Sequence, residues 1–399
     1  GLRAAIDIHA LSRSDRTTLA TEKPAAHDTD DDKPAELIES AAALDHYSRD
    51  FGSIVATRPK MALRPTSGAQ IARAMRFASS RGLSVVARGI GHSAGGQSQV
   101  DQGLVIDMTR LDSIHSIDIR EGYLEADAGV TWQALMDALL PLGVAPAVIT
   151  DWLHLTLGGT ISAGGVGAQS FSRGIQADAV EALELVTARG QILQCDGEQN
   201  SELFNAARAG LGQFGIISRV RMRIEKAPTT VTLEHRVFDS FEAFAAAVDL
   251  LRDVDGVHGL LAHAVPNEPA AIARSMGLEE QALGQSDDVS CSATWLYDLE
   301  VMRYHGDEEL RPVPATDHLD WCFSSREWAF DQFIRRVPPI IERDQRAGSA
   351  PHPELAMFVP QSSAGEFIGD TMAALSVEEM GGGPILLIPL TRSQVSTPL

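Results

Sequence analysis

The strongest constraint on this chain is the run Arg88-Gly89-Ile90-Gly91-His92-Ser93-Ala94-Gly95-Gly96-Gln97, which directly follows the apolar segment Leu83-Ser84-Val85-Val86-Ala87. Glycines spaced this way let backbone N–H groups approach a phosphate, because no Cβ stands in between. Gly89-x-Gly91-x-x-Ala94, with Asp107 downstream, also satisfies the spacing of a dinucleotide fingerprint. That fingerprint needs a helix to open on its last small residue. Residues 95–103 carry no apolar stripe at helical spacing and lead into a second strand, Leu104-Val105-Ile106-Asp107-Met108. The expected unit is strand, histidine-centred loop, strand.

Helices and strands alternate around it. Ser67 or Thr66 caps a helix with Ile71, Ala74, Met75 and Ala78 on one face, ended by Gly82. A strand at 123–129 precedes an amphipathic helix from Thr131 to Leu140. Val180–Val186 and Gln191–Leu193 read as a hairpin around Gly190, and Ser201 as the cap of a short helix. Val220, Met222 and Ile224 share one strand face, which leaves Arg219, Arg221 and Arg223 as a solvated stripe on the other. Gly158 to Gly167 is a second glycine-rich stretch, read as a loop offering N–H groups to a pyrophosphate.

The first strand and its Gly-His-Ser-x-x-Gly-Gln loop resemble the flavin-binding domain of the vanillyl-alcohol oxidase superfamily, the PCMH type, and in detail the cytokinin dehydrogenases. The resemblance continues through Thr150–Ser162, Asn200–Phe204, Gly210–Ile217, Pro351-His352-Pro353 and Phe358-Val359-Pro360, from about Asp50 to Arg392. It implies a two-domain α+β flavoenzyme: residues 41–228 binding FAD, and residues 229–399 forming a substrate-binding cap with an antiparallel sheet. The family's final FAD-domain segment is expected to be absent. Residues 1–40 read as an acidic flexible segment, on Asp28-Thr29-Asp30-Asp31-Asp32.

The same resemblance implies FAD bonded covalently to His92 through the flavin C8 methyl. Around it, Ala87, Arg88, Gly89, Gly91, Ser93, Gln97, Ser98, Asp151, Thr156, Gly159, Ser162, Val166 and Ile217 take the family's cofactor-binding positions. A neutral imidazole nitrogen is the nucleophile such attachment needs. No cysteine lies between His92 and Cys195, so a second thioether link is not expected.

Asp151 is the candidate general base, since the apolar neighbours Ile149, Trp152 and Leu153 would desolvate its carboxylate and raise its proton affinity. His154 is a second acid/base candidate or a packed core residue. In the family the aspartate takes a proton from a substrate amine while hydride leaves the adjacent carbon. Glu354 and Ala356 stand where the family places a tryptophan and an asparagine on the adenine, so they are substrate candidates and predict weak adenine recognition. The leading expectation is hydride removal from a C–N bond of an amine. An alcohol or natural-product oxidase on the same scaffold, and a non-catalytic FAD-binding relative, are the alternatives.

Composition bounds the partners. A length of 399 residues favours two domains over one core. The formal charge of −21 opposes nucleic acid and anionic membranes, which are bound by lysine and arginine. No apolar run approaches a membrane span. Cys195, Cys291 and Cys322 are too few and scattered for a disulfide framework or a metal site. The expected partners are a small-molecule substrate and an oxygen or quinone-type electron acceptor, with the compartment left open between cytoplasm and secretion.

Overall fold

The computed structural model describes residues 33–34, 36–277, 291–306, 312–337, 351, 353–380 and 385–398. The acidic stretch at 27–32 and His352 lie outside the described residues. No helix among the described residues is long and apolar enough to cross a membrane.

Two sheets build the N-terminal lobe. Met61–Leu63, Leu104–Asp107 and Val85–Arg88 lie in that spatial order, all parallel. The helix Gly68–Ser80 joins the first of these strands to Val85–Arg88, with Ile71, Ala74, Met75 and Ala78 buried and the Ser67 hydroxyl accepting from Gln70 N–H. A five-stranded sheet follows, ordered Ile114–Asp118, Tyr123–Asp127, Ile216–Arg223, Val180–Val186, Ile192–Asp196, with every pairing antiparallel. Its companion helix Trp132–Leu139 is capped by the Thr131 hydroxyl and buries Trp132, Leu135, Met136 and Leu139.

Three local expectations need correction. Ser201 is the first residue inside its helix, and the cap is Asn200 in the left-handed conformation, which asparagine tolerates better than serine. The arginine face of Ile216–Arg223 is not simply solvated, because the neighbouring strands present carboxylates to it. Arg219 pairs with Glu125 at 3.4 Å, Arg221 with Glu181 at 3.2 Å, and Arg223 donates to the Asp178 carbonyl. The second glycine stretch is not an open loop: Leu157–Ala163 is helical, because Leu157 and Ile161, four apart, both enter the core.

The C-terminal lobe is one antiparallel sheet in the order Ser324–Ala329, Thr230–Phe238, Trp295–His305, Gly259–Pro266, Ile385–Leu387. On one face, Leu260, Ala262, Leu299 and Val301 pack under the helix Phe241–Arg252 through Phe244, Ala247 and Leu251. Alternation sends Leu233, Leu261 and Met302 the other way, into the core of the N-terminal lobe. Glu300, opposite Leu261 and His235, shares that inward face. The end of the chain also returns to the first lobe, where the Asp178 carboxylate accepts from the N–H and hydroxyl groups of Ser396 and Thr397 at 2.6–3.0 Å.

Candidate functional site

Arg88 ends its strand and turns the chain into the histidine loop. Gly91 takes φ +79°, and a Cβ there would lie 2.2 Å from the Arg88 guanidinium, so only glycine allows the turn. Arg88 is buried, donating to the Arg49 carbonyl at 2.9 Å and to Ser98 Oγ at 3.4 Å. Gly89 faces Thr156, whose Oγ1 stands 2.2 Å from where a Cβ would sit. The two glycine-rich stretches therefore pack directly on one another, with Ala87 half-buried in the strand behind them.

A residue that sequence reasoning missed organises the loop. Asp50, 6% exposed, accepts from Ser93 Oγ at 2.9 Å, from Gly96 N–H at 2.7 Å and from Ser53 N–H at 3.1 Å. Ser93 and Ser98 share a hydroxyl contact of 2.7 Å, and the exposed Gln97 side chain accepts from Gly95 N–H. No local pattern marks Asp50, since its loop partners lie 43 and 46 residues away in the chain.

His92 sits between two rings. Phe51 is tilted over it at 4.2 Å between centroids, and Trp152 stacks on it at 5.4 Å with 12° between planes. Desolvation in this sandwich pushes the imidazole below its ordinary range, so the neutral ring dominates near pH 7. A cleft of about 340 Å³ opens beside it, lined by Arg49, Asp50, Phe51, Arg88, His92 and Trp152 among others. The buried Trp152 Nε1 has no hydrogen-bond partner among the described residues.

Asp151 is the neighbour of Trp152 in the chain, and 39% of its side-chain surface is open. It nevertheless sits deep in the protein mass, where desolvation raises its carboxyl above the ordinary range against the opposing charge of Arg336. Arg336 Nη1 lies 3.9 Å from Asp151 Oδ1, while Nη2 donates to Glu300 Oε2 at 2.9 Å. His154 meets the Trp152 ring edge-on at 5.5 Å, half-buried.

The remaining candidates are placed less simply. Ser162 donates its hydroxyl to the Gly158 carbonyl of its own helix at 2.7 Å. Gly159 is exposed in the first turn of that helix, and Val166 is half-buried just beyond it. Ile217 is a core residue paired with Leu185. Glu354 and Ala356 are not among the residues that line the cleft beside His92. Both lie in an exposed run with Leu355, which is 82% exposed.

Residues 59–196 match the family described as "FAD binding domain", and residues 228–398 the family described as "Cytokinin dehydrogenase 1, FAD and cytokinin binding". Cytokinin dehydrogenase 8 of Oryza sativa subsp. indica is 33% identical over 390 residues, covering 90% of this chain and 73% of that protein. Cytokinin dehydrogenase 1 of Arabidopsis thaliana is 31% identical over 397 residues, covering 90% and 68%. An uncharacterized oxidoreductase, ORF5 in the fasciation locus of Rhodococcoides fascians, is 31% identical over 357 residues, covering 88% and 75%.

Proposed function

Since the chain belongs to the cytokinin dehydrogenase family of FAD-dependent oxidoreductases, we propose that it removes hydride from a C–N bond of an amine, with Asp151 as the base and FAD attached to His92. Residues 41–228 form the flavin lobe and 229–399 the substrate lobe in this reading. The observation that supports it is the stack of Trp152 on His92: both rings line one cleft, and Asp151 is the chain neighbour of Trp152.

The residues present fit the cofactor. A cleft lined by Arg88, His92 and Trp152, a desolvated imidazole and an indole N–H without a partner among the described residues suit a flat, polar-edged group. When bound, FAD supplies the two-electron oxidant that receives the hydride. Ala87, Arg88, Gly89, Gly91, Ser93, Gln97 and Ser98 would hold it on the histidine side, and Thr156, Gly159, Ser162, Val166 and Ile217 on the other. His92, neutral near pH 7, keeps the nitrogen lone pair that covalent attachment needs. Asp151 takes the proton from the amine nitrogen, and its raised proton affinity suits it to that exchange.

The substrate class remains that of an amine, and N6-isopentenyladenine is the first probe because the named relatives are cytokinin dehydrogenases. Glu354 and Ala356, where the family has a tryptophan and an asparagine, argue for weak adenine recognition, and the same substrate panel tests that expectation. Anaerobic mixing of the flavin-loaded protein with a panel of cytokinins, simple amines and primary alcohols tests the reading. Bleaching of the flavin by an amine faster than by any alcohol is expected. Alcohols reacting fastest would replace it with an alcohol oxidase, and a flavin that no compound reduces would favour a binding protein.

A further inference from the structure

We infer that Arg336 is a positioning residue for Asp151, reaching from the substrate lobe to hold the base of the flavin lobe while Glu300 limits how tightly it does so. The inference rests on Asp151 being the base. Arg336 follows the short helix Phe330–Ile334, and its guanidinium lies 3.9 Å over the Phe333 ring, with Nη1 donating to the Phe333 carbonyl at 3.3 Å. The side chain is 13% exposed and so has little freedom to leave.

Its two carboxylate contacts are unequal. Glu300, with only 6% of its side chain exposed, takes the direct bond at 2.9 Å, whereas Asp151 is held at 3.9 Å. This inequality matters chemically. A bidentate guanidinium pair would occupy both Asp151 oxygens and stabilise the carboxylate so strongly that it would no longer accept a proton. A guanidinium kept one step away still favours the charged form, yet leaves Asp151 oxygens free for the substrate. Glu300 is fixed in turn by its place in the central strand Trp295–His305, opposite His235 and Leu261.

The charged and titratable groups around Asp151 come from each packed element. They are Glu300 and Tyr304 from the central strand, Arg336 just after the helix that follows the edge strand Ser324–Ala329, and His263 from the strand Gly259–Pro266. His263 Nδ1 lies 3.9 Å from Glu300 Oε1, and His263 also faces Asp151. Tyr304, its hydroxyl bonded to Gln169 and its pKa pushed up to about 12 by burial, stays neutral throughout the working range.

The two partners of Arg336 make opposite predictions. Carbon-13 NMR of flavin-loaded protein labelled at aspartate carboxyl carbons follows Asp151 directly, its signal identified by loss in Asp151→Asn. Arg336→Gln should move the Asp151 midpoint upward by about one pH unit, the low end of the effect of a nearby opposite charge. Arg336→Lys should restore part of it. Glu300→Gln should move the midpoint downward, because it removes a like charge and frees the guanidinium for Asp151. Midpoints that coincide with wild type, or move the same way in both variants, would overturn the inference. The reading of Asp151 as base fails separately, if Asp151→Asn leaves flavin reduction unchanged.

Discussion

His92 shows how packing sets the chemistry of one side chain. Partial burial beside the Phe51 and Trp152 rings lowers the imidazole's proton affinity, which favours the neutral form where an exposed histidine would be partly charged near pH 6.5. Covalent attachment through this residue predicts that denatured protein stays yellow. Peptide mass mapping should find the His92 peptide carrying flavin, and His92→Ala should retain at most noncovalent FAD. An unmodified His92 in flavin-replete protein contradicts the assignment. The motif made His92 and Asp151 candidates from sequence. Phe51, Asp50 and Arg336 were not legible, because each acts through partners distant in the chain that no local period reveals.

At the scale of elements, local signals were read well and long-range ones poorly. The helices Gly68–Ser80 and Trp132–Leu139 and the hairpin of Val180–Val186 with Ile192–Asp196 carry their caps, periods and turn within a few residues. The second glycine stretch misled because its glycines outweigh Leu157 and Ile161 in any local count, while the core they enter is assembled from distant segments. Asp178 is a further long-range device. Burial works against its charge, but bonds from Ile175, Thr397 and Ser396 outweigh that and hold its carboxyl below the ordinary range. Its contribution to stability is therefore fully present above the unfolded carboxylate pKa, near 4, and is lost as pH falls through the lower folded value. Asp178→Ala should cost about 1.5–3 kcal/mol at pH 7, the worth of hydrogen bonds to a charged group. Urea unfolding of both proteins checks this, and the gap between them should close as pH drops below the carboxylate range. A gap independent of pH would mean that the carboxylate charge does not hold the C-terminal segment.

For the whole molecule, the α+β architecture and the family followed from the sequence, and the substrate side did not. The lobes meet through a shared core of Leu233, Leu261 and Met302 with residues of the first lobe, and through Arg336, which spans from Glu300 to Asp151. Glu354 and Ala356 lie in an exposed run, and their substrate role stays an expectation from the motif position. The central claim is that this assembly places a carboxylate base from one lobe where it deprotonates an amine for flavin-dependent oxidation. Its most direct test is anaerobic single-turnover reduction of the flavin in wild type and Asp151→Asn, using the amine that bleaches wild type fastest. The account predicts a rate lower by on the order of 10² to 10⁴ in the variant, the usual cost of a lost general base, with FAD content unchanged. Equal reduction rates in the two proteins would contradict it.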